Sequence, residues 1–260
     1  MGENKDATIS LIFKLMTEWK ELPNYQLERR ADIFFAYYLP DIMNYYFNEK
    51  RKNNEYNEVR EITDSDIIPE FPIRIGNDEN GYGGSNHSFK IDYAVFGEKN
   101  IYFVELKTDM ASLDRKQISN LKKASVRKVN DLKLQLSQIY KGSDHKDKYV
   151  VLNKRLRDNG IGFSIESKNL KHEIEKFYDT PHEIIYILPE RPDKYQELCK
   201  EYPSKYRKIS KDVIEGLSSL EPDYITFSEV RDCLAGKQDG ISEHFRCSLS
   251  KWMVKEDTCE

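Results

Sequence analysis

The sequence KIDYAVFGEKNIYFVELK, residues 90–107, decides the fold of this chain. It consists of two apolar runs separated by a short polar turn that contains glycine, and this pattern predicts a β-hairpin. Side chains of a strand alternate between its faces, so Glu105 and Lys107 project to one side and Leu106 to the other. If the strands pair antiparallel, Asp92 reaches the end of the sheet where Glu105 lies. The sequence therefore predicts that two carboxylates and one ammonium group converge.

This combination of residue types suits a metal-dependent hydrolytic site. Carboxylate oxygens suit Mg²⁺, which keeps several waters and takes one or two protein carboxylates together with substrate phosphates. A lysine beside such an ion orients or helps to deprotonate an attacking water. Glu-x-Lys alone is weak evidence because it begins at positions 3, 18, 105 and 166, but only the copy at 105 ends an apolar run. The alternative is an ordinary hairpin whose exposed end carries solvated charges.

The arrangement resembles the PD-(D/E)XK nuclease superfamily, which has the restriction-endonuclease-like fold. The family pattern is an aspartate on one strand and, roughly a dozen residues later, Glu-x-Lys on the next. Here Asp92 precedes Glu105-Leu106-Lys107, and Ile91 stands where the family usually has proline, a position that does no chemistry. The resemblance implies a metal-dependent endonuclease that hydrolyses DNA with Mg²⁺, or with Mn²⁺ in its place. It also implies that Asp92, Glu105 and the main-chain carbonyl of Leu106 bind the metal and that Lys107 assists the attacking water.

A further site residue is expected from the first core helix, because members of this superfamily often place a glutamate there near the metal. Glu28 is the best candidate, since it opens a predicted helix and shares its face with apolar residues; Asp32 is the fallback. The alternative is a first-turn carboxylate favoured by the helix dipole. The RecB-like branch carries Gln-x-x-x-Tyr after the lysine, but Gln135 and Tyr140 are one residue too far apart for that motif.

A basic block follows the predicted active strand. Residues 114–157 contain thirteen Lys or Arg and four Asp, a local charge of +9 in a chain whose net charge is −4. The apolar periodicity predicts a basic helix over about 115–141 that would lie along the DNA backbone. The alternative is a solvated helix face. Gln117, Gln135 and Gln138 lie in this helix, either as substrate contacts or as solvated surface residues.

The periodicity along the rest of the chain predicts helices over 9–19, 25–49, 147–158 and 241–254, and strands over 67–75, 183–188 and 224–227. Pro40 marks a kink or a break in the second helix, and Pro69 and Pro72 confine the first strand to an edge or a bulge. A loop is predicted over 77–86. This order predicts an α/β fold with a central mixed β-sheet flanked by helices, similar to a restriction-endonuclease-like core with helical additions.

The composition narrows the class of protein. Charged residues make up 33% and hydrophobic residues 38%, and no apolar run approaches the length of a membrane span. The four cysteines form no Cys-x-x-Cys pair and suit a reducing compartment. We therefore expect a cytoplasmic protein without a membrane partner, and a homodimer is one assembly that these features allow. A single nuclease-like domain is expected over 1–260, with a core of about 25–190 and a C-terminal extension of about 191–260.

Two other interpretations stay open from the sequence. In one, the chain has a nuclease-like fold that binds nucleic acid without cutting it. In the other, it is an unrelated interaction domain with a fortuitous hairpin. The complete set of Asp92, Glu105 and Lys107 favours an active enzyme over the first alternative, and metal binding would separate it from the second.

Overall fold

A computed structural model describes residues 2–20, 22, 25–51, 60–74, 88–163, 165 and 182–253. The chain has the predicted α/β fold. Its described helices are α1 (Gly2–Trp19), α2 (Leu27–Tyr45), α3 (Arg115–Ser125), α4 (Val129–Gly142), α5 (Lys146–Asp158), α6 (Pro192–Glu201), α7 (Lys211–Leu220), α8 (Phe227–Cys233) and α9 (Gly240–Trp252). The predicted loop over 77–86 lies outside the described residues.

The described strands form one mixed sheet of five strands in the order β1-β2-β3-β4-β5. They are β1 (Ile67–Arg74), β2 (Ser88–Phe96), β3 (Ile101–Leu106), β4 (Glu183–Leu188) and β5 (Asp223–Thr226). Neighbouring strands pair antiparallel from β1 to β3, whereas β4 and β5 pair parallel. The edge position of β1 is the one predicted from its two prolines, because proline has no N–H to donate to a ladder.

The predicted hairpin is present and closes as its sequence requires. Phe96 pairs with Ile101, and the register continues to the pair of Tyr93 and Val104. The backbone N–H of Gly97 donates to the carbonyl of Asn100 over 2.9 Å, which closes the turn. Two apolar runs and a glycine-containing turn were sufficient to predict this element.

Contacts divide the chain into two compact units. Unit 1 comprises Met1–Lys52, Leu106–Arg115 and Ile185–Glu260, and unit 2 comprises Asn53–Glu105 and Lys116–Ile184. The division passes between the glutamate and the leucine of the Glu-x-Lys motif. The expected boundaries of a core at 25–190 and an extension at 191–260 stay a prediction.

Each unit has its own aromatic packing. In unit 1 the ring of Phe245 in α9 is buried and lies 5.0 Å from Phe35 and 5.8 Å from Tyr38, both in α2. In unit 2 the ring of Phe103 in β3 lies 6.3 Å from Phe71 and 5.1 Å from His182. Edge-to-face and offset ring pairs of this kind add to the free energy gained by burying the rings.

The basic helix predicted over about 115–141 is wrong as a single helix. It is divided into α3 and α4 at residues 126–128, where Lys128 has an extended backbone and precedes α4. The carbonyl of Ser125 accepts the N–H of His182 over 2.7 Å, so a distant segment takes the last helical carbonyl of α3. The break contains neither glycine nor proline and is therefore invisible in the sequence. In α2, by contrast, the helix continues through Pro40 without a break.

Candidate active site

Asp92 and Glu105 lie on neighbouring strands of unit 2. Extending the register by one residue from the pair of Tyr93 and Val104 places Asp92 opposite Glu105. Side chains that oppose each other on antiparallel strands share a face, with Cβ atoms about 4.5–5.5 Å apart. Asp92 is half-buried and Glu105 is fully buried. The hairpin therefore brings together the two carboxylates that the sequence singles out.

Glu105 is the only charged residue in β3, a strand that is buried along its whole length. The side-chain amide of Gln117, near the start of α3, donates from Nε2 to Oε2 of Glu105. A hydrogen bond from a neutral donor compensates part of the free energy required to bury a carboxylate. Gln117 is therefore a structural partner of the candidate site, and not a solvated surface residue.

The sequence carried a weak signal for this role of Gln117. Ile118, Leu121 and Ala124 form the buried side of α3, and Gln117 shares a face with Leu121 and Ala124 at spacings of i+4 and i+7. A half-buried polar residue at such a position requires a polar partner. The spacing of Gln117 therefore indicates a polar partner, but no pattern in the sequence identifies that partner as Glu105.

Lys107 belongs to unit 1 and is buried, with 4% of its surface exposed. Its Nζ donates to the carbonyl of Leu106 over 2.9 Å and lies 3.6 Å from Oε1 of Glu28 in the first turn of α2. Its backbone N–H donates to Ile187 over 2.9 Å. Asp32, the fallback for Glu28, is exposed at the surface, and the choice between the two as a site residue stays a prediction.

These burial values argue against the simplest alternative, a hairpin end with solvated charges. Glu105 is 0% and Lys107 is 4% exposed, and each has a polar partner in its own unit. An ordinary strand end leaves such side chains in water, where their charges are stabilised at no expense to the fold.

The donor atoms present are of the kind that Mg²⁺ takes. Asp92 and Glu105 offer hard carboxylate oxygens on one face of the sheet. Two carboxylates are enough for Mg²⁺, which usually binds one or two protein carboxylates and completes its coordination with waters. Within the described ranges, no group of three or more His, Cys, Asp or Glu side chains is placed to hold a metal ion. The predicted ligand set of Asp92, Glu105 and the Leu106 carbonyl contains only two such side chains, and it stays a prediction.

The exposed charges of α3 are all positive. Lys116, Lys122 and Lys123 lie at its surface, and the helix contains no acidic residue. Arg115, which opens the helix, pairs with Asp212 at 2.9 Å within unit 1. The outer face of α3 is therefore a patch of lysines, which we call the α3 lysine patch (Lys116, Lys122 and Lys123).

Other residues of the predicted basic helix face inwards. Nη1 of Arg127 donates to the carbonyl of Arg74 over 3.0 Å and to Oε1 of Gln135 over 2.6 Å. Nη1 of Arg74 donates to Oε1 of Gln138 over 2.6 Å. Burial lowers the pKa of the Arg127 guanidinium, against the opposing charge of Asp131. Arg127, Gln135 and Gln138 therefore hold α4 against β1 within unit 2.

No described helix combines the length and the apolar character needed to cross a membrane. No family model matches the chain, and neither curated proteins nor solved structures include one that is significantly similar to it.

Proposed function

We propose that this protein is a Mg²⁺-dependent nuclease that hydrolyses phosphodiester bonds of DNA, a member of the PD-(D/E)XK superfamily. The observation that carries the proposal is the register of the β2–β3 hairpin, which pairs Tyr93 with Val104 and, extended by one residue, sets Asp92 opposite Glu105. The complete burial of Glu105 supports it, because burying a carboxylate in an apolar strand lowers stability and departures of this kind are expected at functional sites.

The residues have distinct roles in the proposed reaction. Asp92, Glu105 and the Leu106 carbonyl would hold the ion, and Gln117 fixes one oxygen of Glu105 before any ion binds. When bound, Mg²⁺ would polarise the scissile phosphate and lower the pKa of a water molecule that it binds. Lys107 offers a buried positive charge to the negative charge that develops on the phosphate, and Glu28 orients its ammonium group.

The α3 lysine patch supports a polyanionic substrate. Three exposed lysines on a helix without acids attract phosphates in a chain that is acidic as a whole. Phosphate contacts of this kind carry no sequence information, so they favour binding to the backbone over the reading of bases.

A second candidate is a nuclease-like fold that binds nucleic acid without cutting. The observation that favours it is the hydrogen bond from Nζ of Lys107 to the Leu106 carbonyl, the oxygen that the resemblance assigns to the metal. An ion bound at this oxygen would stand beside the ammonium group of Lys107, and the two positive charges would repel each other. If this repulsion prevents metal binding, the chain retains the α3 lysine patch but does not cleave DNA.

Cleavage of supercoiled plasmid, linear DNA and RNA, with Mg²⁺, with Mn²⁺ or with chelator, tests the proposal. We expect cleavage of DNA only with a divalent ion, and its loss in Asp92→Asn and Glu105→Gln. Glu98→Gln is the matched control, because Glu98 is an exposed carboxylate in the turn of the same hairpin. DNA binding without cleavage under all these conditions contradicts the nuclease and supports the second candidate.

A further inference from the structure

Helix α1 has two apolar faces, and its inner face is used by the fold. Phe13 and Met16 are 3% and 5% exposed. The ring of Phe13 lies 4.5 Å from that of Phe34 in α2 and 6.0 Å from that of Phe245 in α9. These contacts bury one side of α1 against its neighbours within unit 1.

Polar contacts fix α1 on the same side. Nε1 of Trp252 donates to Oγ1 of Thr17 over 3.1 Å, and Nζ of Lys20 donates to the carbonyl of Lys251 over 3.1 Å. Both contacts attach the C-terminal half of α1 to the end of α9. The orientation of α1 about its axis is therefore set, and its other face points away from the core.

That outer face is also apolar. Leu11 is 53%, Ile12 45% and Trp19 44% exposed, and Leu22 just beyond the helix is 54% exposed. With the half-buried Leu15 they form what we call the α1 outer stripe (Leu11, Ile12, Leu15, Trp19 and Leu22), with the helical spacing of a packing face. Four of the ten large exposed apolar side chains in the described part of the chain lie in this short segment. Single exposed apolar residues are ordinary, but a clustered run marks an interaction surface.

The charges beside the stripe indicate its partner. Lys14 and Glu18 form an ion pair at 3.7 Å on one flank and remain 68% and 54% exposed. A helix that lies on an anionic lipid surface has a flank rich in Lys and Arg, whereas this flank is neutral. Two copies related by a two-fold axis, with α1 helices antiparallel, would set Lys14 of each copy against Glu18 of the other. The flank is therefore complementary to itself, as a two-fold interface requires.

We propose that the α1 outer stripe is the contact between two copies of this chain, which pack their α1 helices antiparallel across a two-fold axis. The contact excludes water from the exposed leucine, isoleucine and tryptophan side chains, and the reciprocal Lys14–Glu18 pairs fix its register. The proposal goes beyond the nuclease activity and does not depend on it. A contact made by one pair of helices is at the small end of stable interfaces, so we expect dissociation on dilution at roughly micromolar concentration.

Sedimentation velocity over about a hundredfold range of protein concentration tests this proposal. The wild-type chain should change from monomer to dimer within the range, and Ile12→Asp should remain monomeric with an unchanged circular dichroism spectrum. Leu134→Asp is the matched control, because Leu134 is 56% exposed on α4, and it should dimerise as the wild type does. A wild-type chain that stays monomeric throughout, or an Ile12→Asp chain that still dimerises, overturns the proposal.

A charge-reversal cycle tests the orientation of the two helices. Lys14→Glu sets acid against acid across the axis and should raise the dissociation constant by about tenfold. Adding Glu18→Lys restores opposite charges across the axis and should restore the wild-type value. Failure of the double variant to recover overturns the antiparallel arrangement. Binding to anionic vesicles that is abolished in Ile12→Asp, with no dimer at any concentration, assigns the stripe to a lipid surface and overturns the proposal as well.

Discussion

The charges at the end of β3 and the charges of α3 follow each other in the chain, but the fold holds them differently. Glu105 and Lys107 are buried and each has a polar partner, whereas the α3 lysine patch is exposed. A buried charge without a partner destabilises the fold by several kcal/mol, while an exposed charge is solvated at almost no expense. Substitutions at the buried charges should therefore alter the cleavage reaction. Substitutions in the α3 lysine patch should instead alter the affinity of the protein for any polyanion.

The largest effect is expected from Lys107→Met, which removes the ammonium group and keeps most of the side-chain volume. Cleavage should fall by roughly two to three orders of magnitude, because the variant lacks the buried charge that stabilises the developing negative charge. The free energy of unfolding should fall by about 1–3 kcal/mol, since the hydrogen bond to the Leu106 carbonyl is removed. Glu28 adds little to this change because its side chain is 36% exposed and water replaces the ion pair.

Plasmid cleavage and urea unfolding measure these two effects separately. Lys99→Met is the control, because Lys99 is exposed in the turn of the same hairpin and should change neither quantity. A Lys107→Met chain that cuts at the wild-type rate removes this lysine from the mechanism.

The second effect is on metal affinity and distinguishes function from stability. Asp92→Asn and Glu105→Gln keep the shape of each side chain and remove its charge, so Mn²⁺ affinity should fall by at least about tenfold. The melting temperature of Glu105→Gln should not fall, because a neutral amide is buried more easily than a carboxylate. Isothermal calorimetry and thermal unfolding measure the two quantities. Unchanged Mn²⁺ affinity in both variants contradicts the proposed metal site.

For the buried charges, the sequence was sufficient to predict the features that follow from strand geometry. Two apolar runs and a short turn predict the hairpin, and its register, extended by one residue beyond the pair of Tyr93 and Val104, places Asp92 opposite Glu105. Burial of Glu105 and Lys107 was not predictable, because it depends on Gln117 and Glu28, which come from helices whose docking is tertiary. From the strand sequence alone, charged residues at a strand end are expected to be exposed to solvent. Their burial here results from the packing of helices against the strand.

The basic segment of α3 and α4 was predicted less well, because its structure also involves tertiary contacts. At the division between α3 and α4, the carbonyl of Ser125 accepts a hydrogen bond from the N–H of His182, a contact that no local pattern encodes. Arg127 lies at this division and bonds inwards to Arg74 and Gln135. Helices α6 and α7 were also missed, because each has only ten residues, although Pro192 at the first position of α6 is a start signal.

The third effect concerns Gln117, a residue of α3 whose side chain donates a hydrogen bond to the buried Glu105. Gln117→Leu removes the donor to Glu105 and should lower Mn²⁺ affinity by about tenfold, as removal of a group that orients a metal ligand commonly does. Gln138→Leu is the matched control, because it removes the hydrogen bond that Gln138 accepts from the charged side chain of Arg74 elsewhere in unit 2. Both variants should be destabilised to a similar extent, and only the first should bind Mn²⁺ more weakly. Equal Mn²⁺ affinity in the two variants contradicts an orienting role.

The smallest effect is expected at the α3 lysine patch, and it should appear only in nucleic-acid binding. Lys116→Gln, Lys122→Gln and Lys123→Gln together should weaken binding to all DNA sequences about equally. The slope of log affinity against log salt concentration should become flatter by about 0.9 for each phosphate of duplex DNA that the variant no longer neutralises. Fluorescence anisotropy over a series of salt concentrations measures both quantities. Arg127 is left intact, because its bonds to Arg74 and Gln135 serve the fold.

The control for the patch must match the change in net charge. Lys194→Gln, Lys200→Gln and Lys211→Gln together remove three exposed charges from α6 and α7, and this variant should bind DNA with nearly the wild-type affinity and slope. Mn²⁺ affinity should be unchanged in both triple variants, because none of these lysines is a candidate ligand. If the two triple variants bind DNA equally weakly, DNA responds to the total charge of the protein and not to the outer face of α3. If both bind as the wild type does, the lysines of α3 are solvated surface charges that do not contact DNA. The comparison with the buried charges at the end of β3 would then assign no function to the α3 lysine patch.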